Sequence, residues 1–290
     1  MPERAISAAQ SHPRFQEAVR AAIGGLIGTY NRNRLLNRVI NDRGRAIGSM
    51  LALYLHFSEL PGDKGGGLTV GRFQALCSEL KVCSPGRARA LLMLMRSAGY
   101  LAPEPGASDR RQRRLVPTEH LIELHRQRWK RQFEAVELIT PEGHGALDVH
   151  GRPEFIAAFV RHLGASYIAG YRVLDYAPDL ARLVESNAGL LVISSLFLST
   201  TDSPAAPGGT VVPVSISALS ATFGIARAHA RKLLAEAAEA GLVRRTDRSD
   251  AVVVLPRLVQ AVSEFYAATF ALLAHCAAAA ATEFRIAWPE

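Results

Sequence analysis

LTVGRFQALCSELKVCSPGRARALLMLMRSAGYLAPEPGASDRRQRRLVP, residues 68–117, decides how the chain is read. It holds an apolar-periodic helix, a turn, a second helix ending in Ala98-Gly99-Tyr100-Leu101, and an arginine-rich hairpin. The same parts recur in the same order over residues 211–256, where the second helix ends in Ala240-Gly241-Leu242-Val243. Phe73 and Leu76 match Ile216 and Leu219 at a spacing of 143, while Leu91, Leu92 and Gly99 match Leu233, Leu234 and Gly241 at 142. The one-residue slip falls inside the turn, where loop length changes most easily. Matching apolar patterns at a near-constant spacing mark an internal duplication.

Each copy reads as a helix-turn-helix followed by a basic two-stranded wing. In the first, Thr69 is placed to cap the helix VGRFQALCSEL (70–80). Ser84 caps the next helix, 84–98, with Pro85 at its first position. Ala88, Leu91, Leu92 and Met95 recur at i, i+3, i+4, i+7 and form the core face. Gly86, Arg87, Arg89 and Ala90 then point outward, two cations beside two residues small enough for close approach. In the second copy the helix 226–240 turns Ala230, Leu233, Leu234 and Ala237 inward and Arg227, His229, Arg231 and Lys232 outward. The first wing carries Arg110, Arg111, Arg113 and Arg114 at and beyond its tip, and the second Arg244, Arg245 and Arg248. An Arg-rich hairpin tip suits a phosphate backbone or a narrow minor groove.

The duplication reaches further. Arg14-Phe15 opens a helix leading to Tyr30, and Glu154-Phe155 opens one leading to Tyr171. Apolar helices follow at 46–57 and 188–199, each before a Gly/Pro-rich loop. Pro117 and Pro256 each introduce a long helix, roughly 118–139 and 257–283. The expected organisation is two halves, 14–139 and 154–283, joined by a linker at 140–153 with no helical period, in a mostly α fold with small β-hairpin wings. The long helices are apolar on more than one face and must be buried. They pair with each other within the chain, as a pseudo-dimer, or with those of another copy in a homodimer.

Composition narrows the class. No run reaches the roughly 20 apolar residues of a membrane span, and the N-terminus has no signal-peptide core, so a cytoplasmic protein with no membrane partner is expected. Cys77, Cys83 and Cys276 form no CxxC and no metal-ligand spacing, which argues against a disulfide framework. Cys83 precedes a helix N-terminus, where the dipole favours a thiolate, but a packed small hydrophobe is the plainer reading. The Gly65-Gly66-Gly67 run opens no helix with a following Lys-Ser/Thr and reads as a loop. Nothing calls for a metal, a cofactor or a catalytic residue, so no enzyme is expected. The net charge of +8 is uneven: residues 1–145 hold 22 Lys and Arg against 13 Asp and Glu, and residues 146–290 hold 12 against 13. The first half is therefore the expected main contact for a polyanion.

Residues 68–119 resemble the MarR family of winged-helix regulators, through LTVGRFQALCSEL, the helix ending SAGYL, and SDRRQRRLVPTE. The resemblance implies that Asp109 and Arg111 form the salt bridge that fixes the wing, and that Thr118 starts the next helix. Asp247-Arg248-Ser249 breaks that pattern in the second copy. The resemblance further implies a fused pseudo-dimer that binds double-stranded DNA as a transcriptional regulator, with a small-molecule effector that no residue here identifies. Two alternatives use the same parts. One is a plasmid-type replication initiator with two winged-helix units; the other is a scaffold whose winged helices bind protein.

Overall fold

Capping chemistry sets the ends of the helices in the quoted stretch. The structure, a computed structural model, describes residues 3–30, 43–58, 66–105, 114–200, 208–247 and 250–283. Thr69 caps a helix at Val70–Glu79 and Ser84 caps one at Pro85–Ser97. Each hydroxyl accepts a backbone N–H three residues on, from Arg72 at 3.2 Å and Arg87 at 3.4 Å. The second helix ends at Gly99, φ +75°, where the Tyr100 N–H reaches the Met95 carbonyl and the Gly99 N–H that of Arg96. Gly241, φ +67°, closes the matching helix of the second copy with the same two bonds, to Ala237 and Ala238.

A second left-handed residue lies in each helix-to-helix turn. It is Gly224, φ +65°, in the second copy and Lys81, φ +54°, in the first, again 143 apart. A side chain costs about 1 kcal/mol in this region, so the first copy carries strain that glycine avoids.

In chain order the elements are α1 (Glu3–Ser11), α2 (Phe15–Tyr30), α3 (Arg43–Phe57), β1 (Leu68–Thr69), α4 (Val70–Glu79), α5 (Pro85–Ser97), β2 (Leu101–Pro103), β3 (Arg114–Pro117) and α6 (Glu119–Val136). Then come α7 (Pro141–Val149), α8 (Pro153–Ile168), 3-10 turns at Val173–Tyr176 and Pro178–Leu180, α9 (Ala181–Val184), and α10 (Gly189–Leu198). The chain continues with β4 (Thr210–Pro213), α11 (Ile216–Phe223), α12 (Arg227–Glu239), β5 (Val243–Arg245), β6 (Ala251–Val254) and α13 (Pro256–Glu283). The fold is mostly α with two small antiparallel sheets, ordered β1-β3-β2 and β4-β6-β5. In each, the strand after the hairpin is central. Leu115 pairs with both Leu68 and Pro103, and Val253 with both Val211 and Arg244.

The two copies are interleaved. Helix α2 lies along α6 of its own copy and also under α10 of the other; α8 lies along α13 and under α3. Helix α1 packs on α13, and α7 packs on α6 and α13. The long helices α6 and α13 also touch within the chain. One continuous core joins Phe15, Val19 and Ile23 of α2 to Phe155 and Phe159 of α8 and Phe270 of α13. Helix α13 is long and apolar enough to cross a membrane by length and composition alone, but 13 of its side chains, Phe270 and Leu273 among them, are buried inside the chain.

Two expectations need correction. The stretch 140–153 is not an aperiodic linker: it holds α7, capped by Thr140, whose hydroxyl accepts the Gly143 N–H at 3.4 Å. Glycines at 143 and 145 hid the helical pattern, and they are there for packing. A Cβ on Gly143 would lie 2.1 Å from the Glu137 backbone nitrogen and 2.5 Å from the Val136 carbonyl carbon. Since α7 sits on α6 as α1 sits on α13, the second copy begins at α7 and the first at α1. Pro117 and Pro256 are not equivalent, for Pro117 closes β3 whereas Pro256 is the first residue of α13. Thr118 does start α6, as the residue before Glu119; its hydroxyl caps no backbone N–H but donates back to the Gly99 carbonyl at 2.7 Å, tying α6 to the end of α5.

Gly143→Ala tests the role of α7. Overpacking against fixed backbone costs about 1–3 kcal/mol, which lowers the melting temperature by several degrees at this size. A free linker would tolerate the methyl group, so an unchanged melting temperature in calorimetry would refute the packing role.

Candidate nucleic-acid interface

Helix α5 presents its outward face as its periodicity requires. Ala88, Leu91, Leu92 and Met95 are buried, while Gly86, Arg87, Arg89 and Ala90 are exposed. Met93, Arg96 and Ser97 extend the same exposed face, with Met93 at 59%. The helix contains no carboxylate. Ser84 is exposed, with its hydroxyl oxygen engaged as the cap. Arg114 is half-buried in β3, opposite Thr69. Asp109, Arg110, Arg111 and Arg113, and with them the expected Asp109–Arg111 salt bridge, lie outside the described residues.

The second head is built on the same plan but its charges are spent differently. Arg227 and Arg231 are exposed on α12, and Arg244 and Arg245 on β5; Arg248 lies outside the described residues. His229 does not point outward. It is half-buried, with Nε2 2.9 Å from the Asn187 carbonyl, so it donates its proton to the body of the protein. Lys232 is exposed, yet its Nζ is 3.8 Å from Glu236. Arg182 of α9 bridges the same carboxylate and that of Glu239, each at 3.2 Å. The exposed Arg182–Glu239 pair contributes about 0–1 kcal/mol, whereas Glu236 is buried and relies on its cationic neighbours. The consequence of these pairs is electrostatic: two carboxylates of α12 itself offset its cations, whereas α5 contains no carboxylate of its own.

Two cavities lie between the copies. The inner one, about 290 Å³, is lined by aromatic rings including Trp129, Tyr167 and Tyr266, and by the guanidinium-bearing Arg43, Arg128 and Arg172, with no carboxylate among its lining residues. The second is a cleft of about 960 Å³, whose described lining holds Arg43, Arg45, Lys81, Arg87 and Arg172 and a single carboxylate, Glu185. Apart from Arg87, none of these cleft cations stood out in the sequence. They come from four separate segments, and no local spacing brings them together. Compared with known proteins, no family model, curated protein or solved structure matches the chain.

His125 lines the inner cavity and holds the Ser49 hydroxyl at 3.1 Å. Burial, with the Arg128 charge nearby, pushes its pKa down to about 3, so it stays neutral where an unfolded histidine protonates near 6.5. A folded pKa below the unfolded one gives stability that is present above 6.5 and lost as pH falls towards 3. Below about pH 6.5 the wild type should lose up to about 1.4 kcal/mol per pH unit from this group. His125→Gln should flatten the slope of unfolding free energy against pH by up to one proton. Parallel curves for the two proteins would show that His125 ionises in the folded state.

Proposed function

We propose that the chain is a sequence-specific double-stranded DNA-binding transcriptional regulator with two winged helix-turn-helix units on one chain. The observation that carries this is helix α5. It is exposed, free of carboxylates and armed with Arg87 and Arg89 in its first turns, and it sits in a helix, strand, helix, helix, hairpin order that occurs twice. The first turns of a recognition helix are where side chains meet base edges. In this reading α5 is the principal reader, and α12 the weaker one because Glu236 and Glu239 offset its cations. The paired copies do within one chain what a homodimer does with two. The inner cavity suits a small effector with an apolar body and a negative charge, since arginines line it and no carboxylate does.

A competition assay of specific against random duplex at fixed salt tests the assignment. Arginine bidentate to guanine gives about 1–3 kcal/mol of discrimination, so Arg87→Ala with Arg89→Ala should cost at least tenfold in specific affinity. His229→Ala with Lys232→Ala should cost less, because both side chains already serve internal contacts. Equal losses would make the protein a two-headed reader of equal half-sites. No preference for any duplex, with no dependence on salt, would favour the protein-binding scaffold.

A further inference from the structure

Arg87 apart, the cleft between the two heads holds cations that have no role in the reading so far, since they belong neither to the outward face of α5 nor to the wings. Its walls come from the start of α3 (Arg43, Arg45), the turn before α5 (Lys81), α5 itself (Arg87) and the segment after α8 (Arg172). Among the described lining residues there are five cations and one carboxylate, Glu185, which pairs with Arg43 at 3.2 Å. Arg172 is held in place: its guanidinium lies 3.5 Å from the Tyr167 ring centroid and donates to the Tyr171 carbonyl at 3.0 Å. The cleft is also flanked by both heads. Arg87 of α5 is in its wall, and the wall residue Asn187 accepts the hydrogen bond of His229 from α12.

Lys81 supplies a second, independent observation. It occupies a left-handed backbone position that the second copy fills with Gly224, and it is one of two non-glycine residues with positive φ among the described residues. The other, Ala188, follows the cleft residue Asn187. Strained residues persist where the strain serves a site. A glycine would hold the same turn without strain but would put no charge in the cleft.

We infer that this cleft binds the phosphodiester backbone of the DNA segment lying between the two heads, with Lys81, Arg45 and Arg43 as its phosphate contacts. The inference rests on the DNA-binding reading above. The shared chemistry of the site is phosphate, and two sources are separable: a duplex backbone and a free phosphate-bearing small molecule. The cleft favours the first. At about 960 Å³ it is several times the size of one phosphate group, and its cations come from three parts of the fold: the start of α3, the turn and first residues of α5, and the segment after α8.

The test is the salt dependence of binding to a random-sequence duplex, measured by fluorescence anisotropy for the wild type, Lys81→Gly, Lys81→Arg and Lys81→Gly with Arg45→Ala. Each lost phosphate contact lowers the log–log slope by about 0.9. Lys81→Gly should lower it by about that amount, the double variant by about twice that, and Lys81→Arg should leave it unchanged. Because glycine relieves the strained backbone, Lys81→Gly should also melt at or above the wild-type temperature, so a lower slope cannot be blamed on unfolding. If the wild type binds with a steep slope and Lys81→Gly keeps it, the cleft does not meet the backbone and the inference falls while the DNA-binding reading stands. If the wild type shows no salt-dependent binding to any duplex, the DNA-binding reading itself fails. Inorganic pyrophosphate is the third arm. Stabilisation of the wild type but not of Lys81→Gly, with duplex slopes unchanged, would assign the cleft to a small anion and overturn the inference.

Discussion

The rest of the structure depends on the exchange of α2 and α8 between the copies. Each of these helices is buried on two sides, against the long helix of its own copy and against the first head helix of the other. Helix α2 buries Phe15, Ala18, Val19, Ala22, Ile23 and Leu26 over nearly its whole length, and α8 buries Phe155, Ile156, Ala158, Phe159 and Val160. A helix with apolar residues on two faces cannot be satisfied by one partner. Neither copy can therefore close its core alone. Close approach at the crossing is enforced as well: a Cβ on Gly164 of α8 would fall 2.3 Å from the Tyr54 ring of α3, so only hydrogen fits there. The relative placement of the heads, and the cavities between them, follow from this interlock rather than from any contact the heads make directly.

Much of this was legible in the sequence because it is local. Caps and stops at Thr69, Ser84, Gly99 and Gly241, and the apolar periods of α5 and α12, depend on residues three or four apart, and the structure places them within a residue or two of expectation. The duplication itself was readable as a spacing. What was missed is either very short or non-local. Strand β1 is two residues, too few for an alternation to register, and β4 went unread as well despite its β-branched run Val211-Val212. Helix α7 was hidden by glycines that only the backbone of α6 explains. The turn of His229 away from the surface depends on Asn187, 42 residues earlier in the chain. Only the Lys232–Glu236 pair was there to be read, as an i,i+4 spacing.

Two identical subunits must carry identical heads, but two copies on one chain are free to diverge, and the substitutions at constant spacing show where they have. Arg87 stands where the second copy has His229, Ala90 where it has Lys232, and Leu94 where it has Glu236. The last of these bears on the second, since Lys232 pairs with Glu236. Leu94 is half-buried and needs no partner, whereas Glu236 is 7% exposed and must be offset, which draws in Arg182 and Lys232. With that network in place α12 is tied to α9 and to the Asn187 loop, and its cations are partly neutralised. Helix α5 carries no carboxylate of its own to form such a network, and its turn carries Lys81 where the second copy carries glycine. The pseudo-symmetry is thus a property of the backbone and the core, while the exposed faces of the heads are unlike in charge and in freedom. In the DNA-binding reading proposed above, this asymmetry suits a site whose two halves are unlike in sequence, with the α5 half setting the register.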